Sequence, residues 1–159
     1  MILRTLAIAG IMSISSTIIA PLSAQTATRK IITLEGAKSI AAAAEVEARN
    51  NGWKLTIVVA DAAGEPIVLH RMDDAPMSSV DIARGKARTA ARFRRPTKSL
   101  DESISAGRGA LLTVEGLVML EGGEPVIVDG DVIGSVGVSG GTSAQDAQVA
   151  RAGIAALKP

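Results

Sequence analysis

Trp53-Lys54-Leu55-Thr56-Ile57-Val58-Val59-Ala60-Asp61-Ala62-Ala63-Gly64-Glu65-Pro66-Ile67-Val68-Leu69-His70-Arg71-Met72 is the stretch on which the fold turns. Trp53, Leu55, Ile57 and Val59 alternate along the first part, so they share one side of a strand running from Trp53 to Asp61. Ala63-Gly64-Glu65-Pro66 supplies a turn, and Pro66 to about Met72 reads as a second strand. So short a connection joins antiparallel neighbours, because parallel strands need a crossover of a dozen residues or more.

Upstream, Thr33 is placed to cap a helix reaching about Asn50, with Glu35 in its first turn and Gly52 as the stop. Ala37, Ile40, Ala41, Ala44 and Ala48 recur at helical spacing and make a narrow apolar face that suits close packing on a sheet. Downstream, Ser78 or Ser79 caps a second helix that ends before Pro96. A short helix follows around Leu100 to Ile104, then a less regular segment from Leu111 to Leu120. Gly122-Gly123-Glu124-Pro125 leads into a strand from Val126 to Asp129, Gly130 turns the chain, and Val132 to Val138 forms another strand. Ser143 with Asp146 reads as a capping box for a last helix to about Leu157, with Val149, Ala150, Gly153, Ile154 and Leu157 as its buried stripe. The order α-β-β-α-α-β-β-α, with hairpins in place of crossovers, predicts an α+β domain: an antiparallel sheet covered by helices.

Composition agrees with one domain and removes several chemistries. The chain has 159 residues, 17 basic and 16 acidic side chains, one His and no Cys, which excludes disulfides, thiolate metal centres and cysteine nucleophiles. His70 alone cannot build a multi-histidine metal cage. Trp53 and Phe93 are the only aromatics, so a nucleic-acid reader, which wants stacking rings and net positive charge, is not expected. Arg4, the apolar run Leu6 to Ala20 and Pro21-Leu22-Ser23-Ala24 read as a secretory signal cleaved after Ala24. The mature domain, residues 25–159, is then expected in a bacterial periplasm or outside the cell, with no stable membrane insertion after cleavage.

Four motifs carry candidate chemistry. Between Arg84 and Lys98 lie seven basic residues and no acidic one. On a helical wheel Arg84, Arg88, Arg92 and Arg95 form one stripe, read as a solvated face or half of a subunit contact, with anion binding as the alternative. Lys86 falls on the far side of the wheel beside Ile82 and Phe93, so its stem is expected over apolar surface with the ammonium in a cleft. His70-Arg71-Met72-Asp73-Asp74 lies where a strand runs into a loop. There Arg71, oriented by Asp73, could grip a carboxylate, or it could close the loop as a salt bridge. Gly134 to Thr142 carries a strand into a helix N-terminus, where Ser139, Gly140, Gly141 and Thr142 could hold an anion, or where the glycines could serve packing. No nucleophile–base pairing is recognisable.

Five elements in order resemble the GlcG/HbpS family of haem-binding proteins, also related to the C-terminal domain of PduO-type corrinoid adenosyltransferases. They are Val58 to Gly64, Arg71-Met72-Asp73-Asp74-Ala75, Lys86-Ala87-Arg88-Thr89-Ala90, Gly122-Gly123-Glu124-Pro125, and Gly134 to Thr142 with Gln145-Asp146 and Ala150-Arg151-Ala152-Gly153. The resemblance implies a profilin-like fold with a sheet of about five strands, assembly into homo-oligomers, and haem as a ligand. Three functions remain. One is an exported haem or tetrapyrrole binder, with Arg71 or Lys86 on the propionates and His70 on the iron. Another is an enzyme or carrier for a small carboxylate, held by Arg71, Lys86 and the amides after Ser139. The third is an assembly subunit joined through the arginine stripe.

Overall fold

A computed structural model describes residues 27–158. The predicted leader, residues 1–24, lies outside the described residues. The element order is the expected one: α1 Leu34–Asn50, β1 Thr56–Asp61, β2 Pro66–Arg71, α2 Ser79–Phe93, α3 Lys98–Ser105, a 3-10 turn Gly109–Thr113, β3 Gly123–Val128, β4 Asp131–Ser139 and α4 Ser143–Ala155. All strand pairs are antiparallel, in the order β2-β1-β4-β3, so the two hairpins meet through their first and last strands. Among the described residues no helix is long and apolar enough to cross a membrane.

Among the described residues the sheet has four strands, where about five were expected. The stretch between α3 and β3 forms the 3-10 turn and a loop, and it packs Leu111 and Met119 against Leu100 as a small separate cluster. β1 starts at Thr56, later than the predicted Trp53, and β3 starts at Gly123, ahead of the predicted Val126. Pro125 is tolerated inside β3 because this strand is an edge, with no neighbour beyond it among the described residues to receive a donor.

One face of the sheet carries α1 and α4, the other α2. Leu55, Ile57 and Val59 join Ile40, Ala44, Val136, Val138 and Val149 in the main core. Val58 and Ala60 face Ala83 and Ala87 of α2 in a thin second layer. That layer is thin because β4 presents Gly137 to the helix. A Cβ built there would lie 2.1 Å from the Ala83 carbonyl oxygen and 2.5 Å from the Ala87 nitrogen. With almost no rings to fill space, the chain gains packing density by bringing backbones together instead.

Local signals set most helix ends. Thr33 Oγ1 accepts from Gly36 N at 3.1 Å, as its position predicts. α2 stops at Phe93 through Arg94 in the left-handed region, φ 56°, two residues before Pro96. Two capping expectations are corrected. Ser78 makes no capping hydrogen bond, and Ser79 instead donates its hydroxyl to the Pro76 carbonyl at 2.6 Å. The capping box of α4 lies one residue earlier than predicted: Thr142 Oγ1 accepts from Gln145 N, and Gln145 Oε1 accepts from Thr142 N at 2.9 Å. Asp146 is thereby released from the cap and turns inward.

Candidate functional site

Among the described residues β2 is an edge strand, bonded only to β1. Within that pair His70 stands opposite Ile57, and Ile57 belongs to the core under α1. The imidazole therefore leans toward α1, where Glu45 Oε2 lies 2.9 Å from His70 Nδ1. The other oxygen of Glu45 accepts from Arg49 Nε at 3.0 Å and Nη2 at 2.5 Å, one helical turn on. The Arg49 hydrogen bond holds the Glu45 carboxyl below its usual range; burial opposes it and the His70 bond adds to it. An ionised carboxylate only accepts, so Nδ1 carries a proton, and in the neutral ring the lone pair sits on Nε2. The His70 side chain is 35% exposed and borders a cleft open to solvent.

Around this group is a cleft of about 350 Å³, walled by Glu45 and Arg49 on one side and by Leu69 to Asp73 on the other. Five consecutive residues can line one cleft here because no described residue pairs with the outer edge of β2, so side chains from both faces border it. A second hollow of about 320 Å³ adjoins it, lined by Arg71 to Asp74. Asp74 turns the chain with φ 63°, a conformation that Asp adopts more readily than most residues. The turn brings Ala75 and Met77 back under Arg71. Its Nη2 donates to the Ala75 carbonyl at 3.3 Å and to the Met77 sulfur at 2.9 Å. The expected partnership of Arg71 with Asp73 is replaced by these contacts, while Asp73 stays exposed on the rim.

The remaining predicted ligand residues lie elsewhere. Lys86 does not open into a cleft: its side chain is 3% exposed, and Nζ donates to Asp146 Oδ2 at 2.7 Å and to the Val138 carbonyl at 3.0 Å. The ammonium lies against Gly122, where an added Cβ would stand 2.8 Å from Nζ. Because α2 and α4 cover opposite faces, this ion pair ties the two helical layers together at the end of the sheet. Burial pushes the Asp146 carboxyl above its usual range, against the pull of Lys86 and of the Gly141 amide. Ser139 is buried at the end of β4, opposite Thr56, and Gly140 has φ 131°. Gly141 N donates to Asp146 Oδ1 at 3.0 Å and Thr142 N to Gln145. Of the predicted anion-holding groups, the Gly141 amide is taken by the chain's own Asp146 and the Thr142 amide by Gln145.

The arginine stripe is latched from within. Arg88 and Arg92 lie 3.5 and 3.7 Å from Glu65 in the β1–β2 turn, and Arg92 Nε donates to the Ala63 carbonyl. Arg84 and Arg95 stay exposed, with Arg95 stacked 5.7 Å over Phe93. Sequence reasoning missed Glu45 and Arg49. Their spacing signals only an ordinary helical surface pair, and nothing local connects them to a histidine 25 residues away.

Comparison with known proteins points in one direction. A family model described as "Haem degrading protein HbpS-like" matches residues 32–155. The GlcG protein of Escherichia coli is 49% identical over 112 residues, covering 70% of this chain and 84% of GlcG. The crystal structure of a double mutant of Streptomyces reticuli HbpS superposes with a TM-score of 0.81 at 32% identity, covering 91% of this chain and 99% of that one. A crystal structure of a PduOC–haem complex gives a TM-score of 0.74 at 28% identity, covering 81% and 96%.

Proposed function

The chain belongs to the HbpS-like family, and from that membership we propose that it is an exported haem-binding protein in which His70 Nε2 takes the iron and Arg71 and Arg49 meet the propionates. The observation that carries the assignment to this cleft is the His70–Glu45 contact. A carboxylate on Nδ1 fixes the tautomer, orients the ring and raises the basicity of Nε2, as it does for metal-bound histidines in general. Two guanidiniums within the same depression suit the two acid groups of a haem. Leu69 and Met72 supply apolar wall. Bound haem supplies a redox-active iron and a planar tetrapyrrole; the chain's own residues bind and orient it.

The cleft is open on its outer side, which is where a second protomer would cover the ligand, in keeping with the expected homo-oligomer. The small-carboxylate reading is weaker. Two of its three binding elements, Lys86 and the amides after Ser139, are already satisfied by Asp146 and Gln145. Export rests on the leader in the sequence, and the N-terminus of secreted protein tests it: a mature chain starting near Gln25 is expected.

Titration of purified mature protein with hemin, followed in the Soret band, tests the haem reading. Binding is expected. His70→Ala should change the spectrum of the bound form, and Arg71→Ala should weaken affinity with the spectrum preserved. A wild-type protein without a Soret shift would remove haem. An unaltered spectrum in His70→Ala would remove His70 as the ligand.

A further inference from the structure

We propose that Met77 is a peroxide-reactive site whose oxidation controls Arg71, the guanidinium beside the cleft. The methionines among the described residues differ sharply in access. Met72 and Met119 are each 7% exposed, whereas Met77 is 78% exposed on the loop between β2 and α2. An oxidant must reach the sulfur from solvent, so Met77 is the position it meets.

The sulfur of Met77 is also engaged. It accepts a hydrogen bond from Arg71 Nη2 at 2.9 Å, and that nitrogen shares its donors with the Ala75 carbonyl. A thioether is a weak acceptor. Hydrogen peroxide transfers one oxygen to the sulfur: an S–O bond forms, the O–O bond breaks, sulfur is oxidised by two electrons, and peroxide leaves as water. The product is a polar sulfoxide, whose oxygen is a stronger acceptor than the thioether it replaces. Since Met77 packs into no core, the change leaves the fold intact. It acts on the guanidinium already bonded to the sulfur and holds Arg71 more firmly to the loop, away from an acid-bearing guest in either adjoining hollow.

The consequence for ligand affinity rests on the haem reading above; the reactivity of the sulfur does not. The test exposes the full mature chain to graded hydrogen peroxide and maps added oxygen by peptide mass spectrometry, in wild type and in Arg71→Ala. Met77 is expected to gain oxygen well before Met72 and Met119. Loss of the donated hydrogen bond should raise its oxidation rate in Arg71→Ala about twofold or more. Similar rates at all three methionines, or equal Met77 rates in the two proteins, would overturn the proposal whatever the ligand is. Hemin titration then reads the consequence. Oxidised wild type should bind about two- to tenfold more weakly, the worth of one strengthened hydrogen bond. Methionine sulfoxide reductase should restore the affinity, and Met77→Leu should be indifferent to peroxide. Oxidised Met77 with undiminished affinity, in a protein that does bind hemin, would refute control of Arg71. A protein that binds no hemin at all would remove the haem reading and, with it, the control step.

Discussion

Replacing Asp146 with Asn tests the buried ion pair most directly, because it removes one charge and almost no volume. Lys86 Nζ and Asp146 Oδ2 are 2.7 Å apart and both side chains are 3% exposed. At an effective dielectric of about 20 the attraction across that distance is about 6 kcal/mol, of the same order as the several kcal/mol each ion loses on leaving water. The intact pair therefore roughly breaks even, while half of it does not. Asp146→Asn keeps an oxygen for Gly141 N and leaves the Lys86 ammonium buried without its counter-charge, a loss of about 3–5 kcal/mol. The variant can recover some of that by releasing the lysine proton. To the extent that it does, the unfolded chain binds more protons than the native one, and stability rises with pH by up to about 1.4 kcal/mol per unit, only in the window where the native lysine is neutral and the unfolded one, near pH 10, still charged. Urea unfolding at several pH values between 6 and 9 measures both effects. Lys86→Met with Asp146→Leu should restore most of the loss, since neither charge remains to be buried. A loss under about 1 kcal/mol, or a pH slope in Asp146→Asn no steeper than in wild type, would refute this account of the pair.

Gly137→Ala should cost about 3 kcal/mol or more or abolish folding, because the new methyl would stand 2.1 Å from the Ala83 carbonyl and can be accommodated only by lifting α2 off the sheet; thermal unfolding of the soluble fraction, or its absence, reads this. Glu45 supplies an acid-side test. Its carboxyl is held low by Arg49 and His70, so its stabilisation is full above the unfolded-state pKa and is lost as pH falls through the folded one. The stability advantage of wild type over Glu45→Gln should be about 0.5–1 kcal/mol at pH 7 and vanish by about pH 3; a gap that stays constant between those values would contradict the contact.

The hairpin from β1 to β2 was legible because alternation and turn chemistry act over a few residues, and the helical stripe of α1 was legible for the same reason. The helical wheel of α2 also separated Lys86 correctly from the arginine face. It had no means of knowing that the next group along Lys86's path would be Asp146, 60 residues on. The cap of α4 shows how this works. Ser143 with Asp146 and Thr142 with Gln145 are equally good local boxes, and the choice falls to the second because Lys86 claims Asp146 from across the sheet.

The sequence by itself determined the element order, the antiparallel pairing and the set of charged residues available for a ligand. Only the tertiary structure decided which of those charges neutralise each other and which face a cleft. Lys86 and the loop after Ser139 were consumed internally, whereas Glu45 and Arg49, silent as a surface pair, were joined to His70 at an uncovered strand edge. The physical reason is range. Backbone periodicity and capping are settled within a turn or two of chain, but the electrostatic role of a side chain is settled by what lies within a few ångströms of it, and those neighbours come from distant segments brought together by packing.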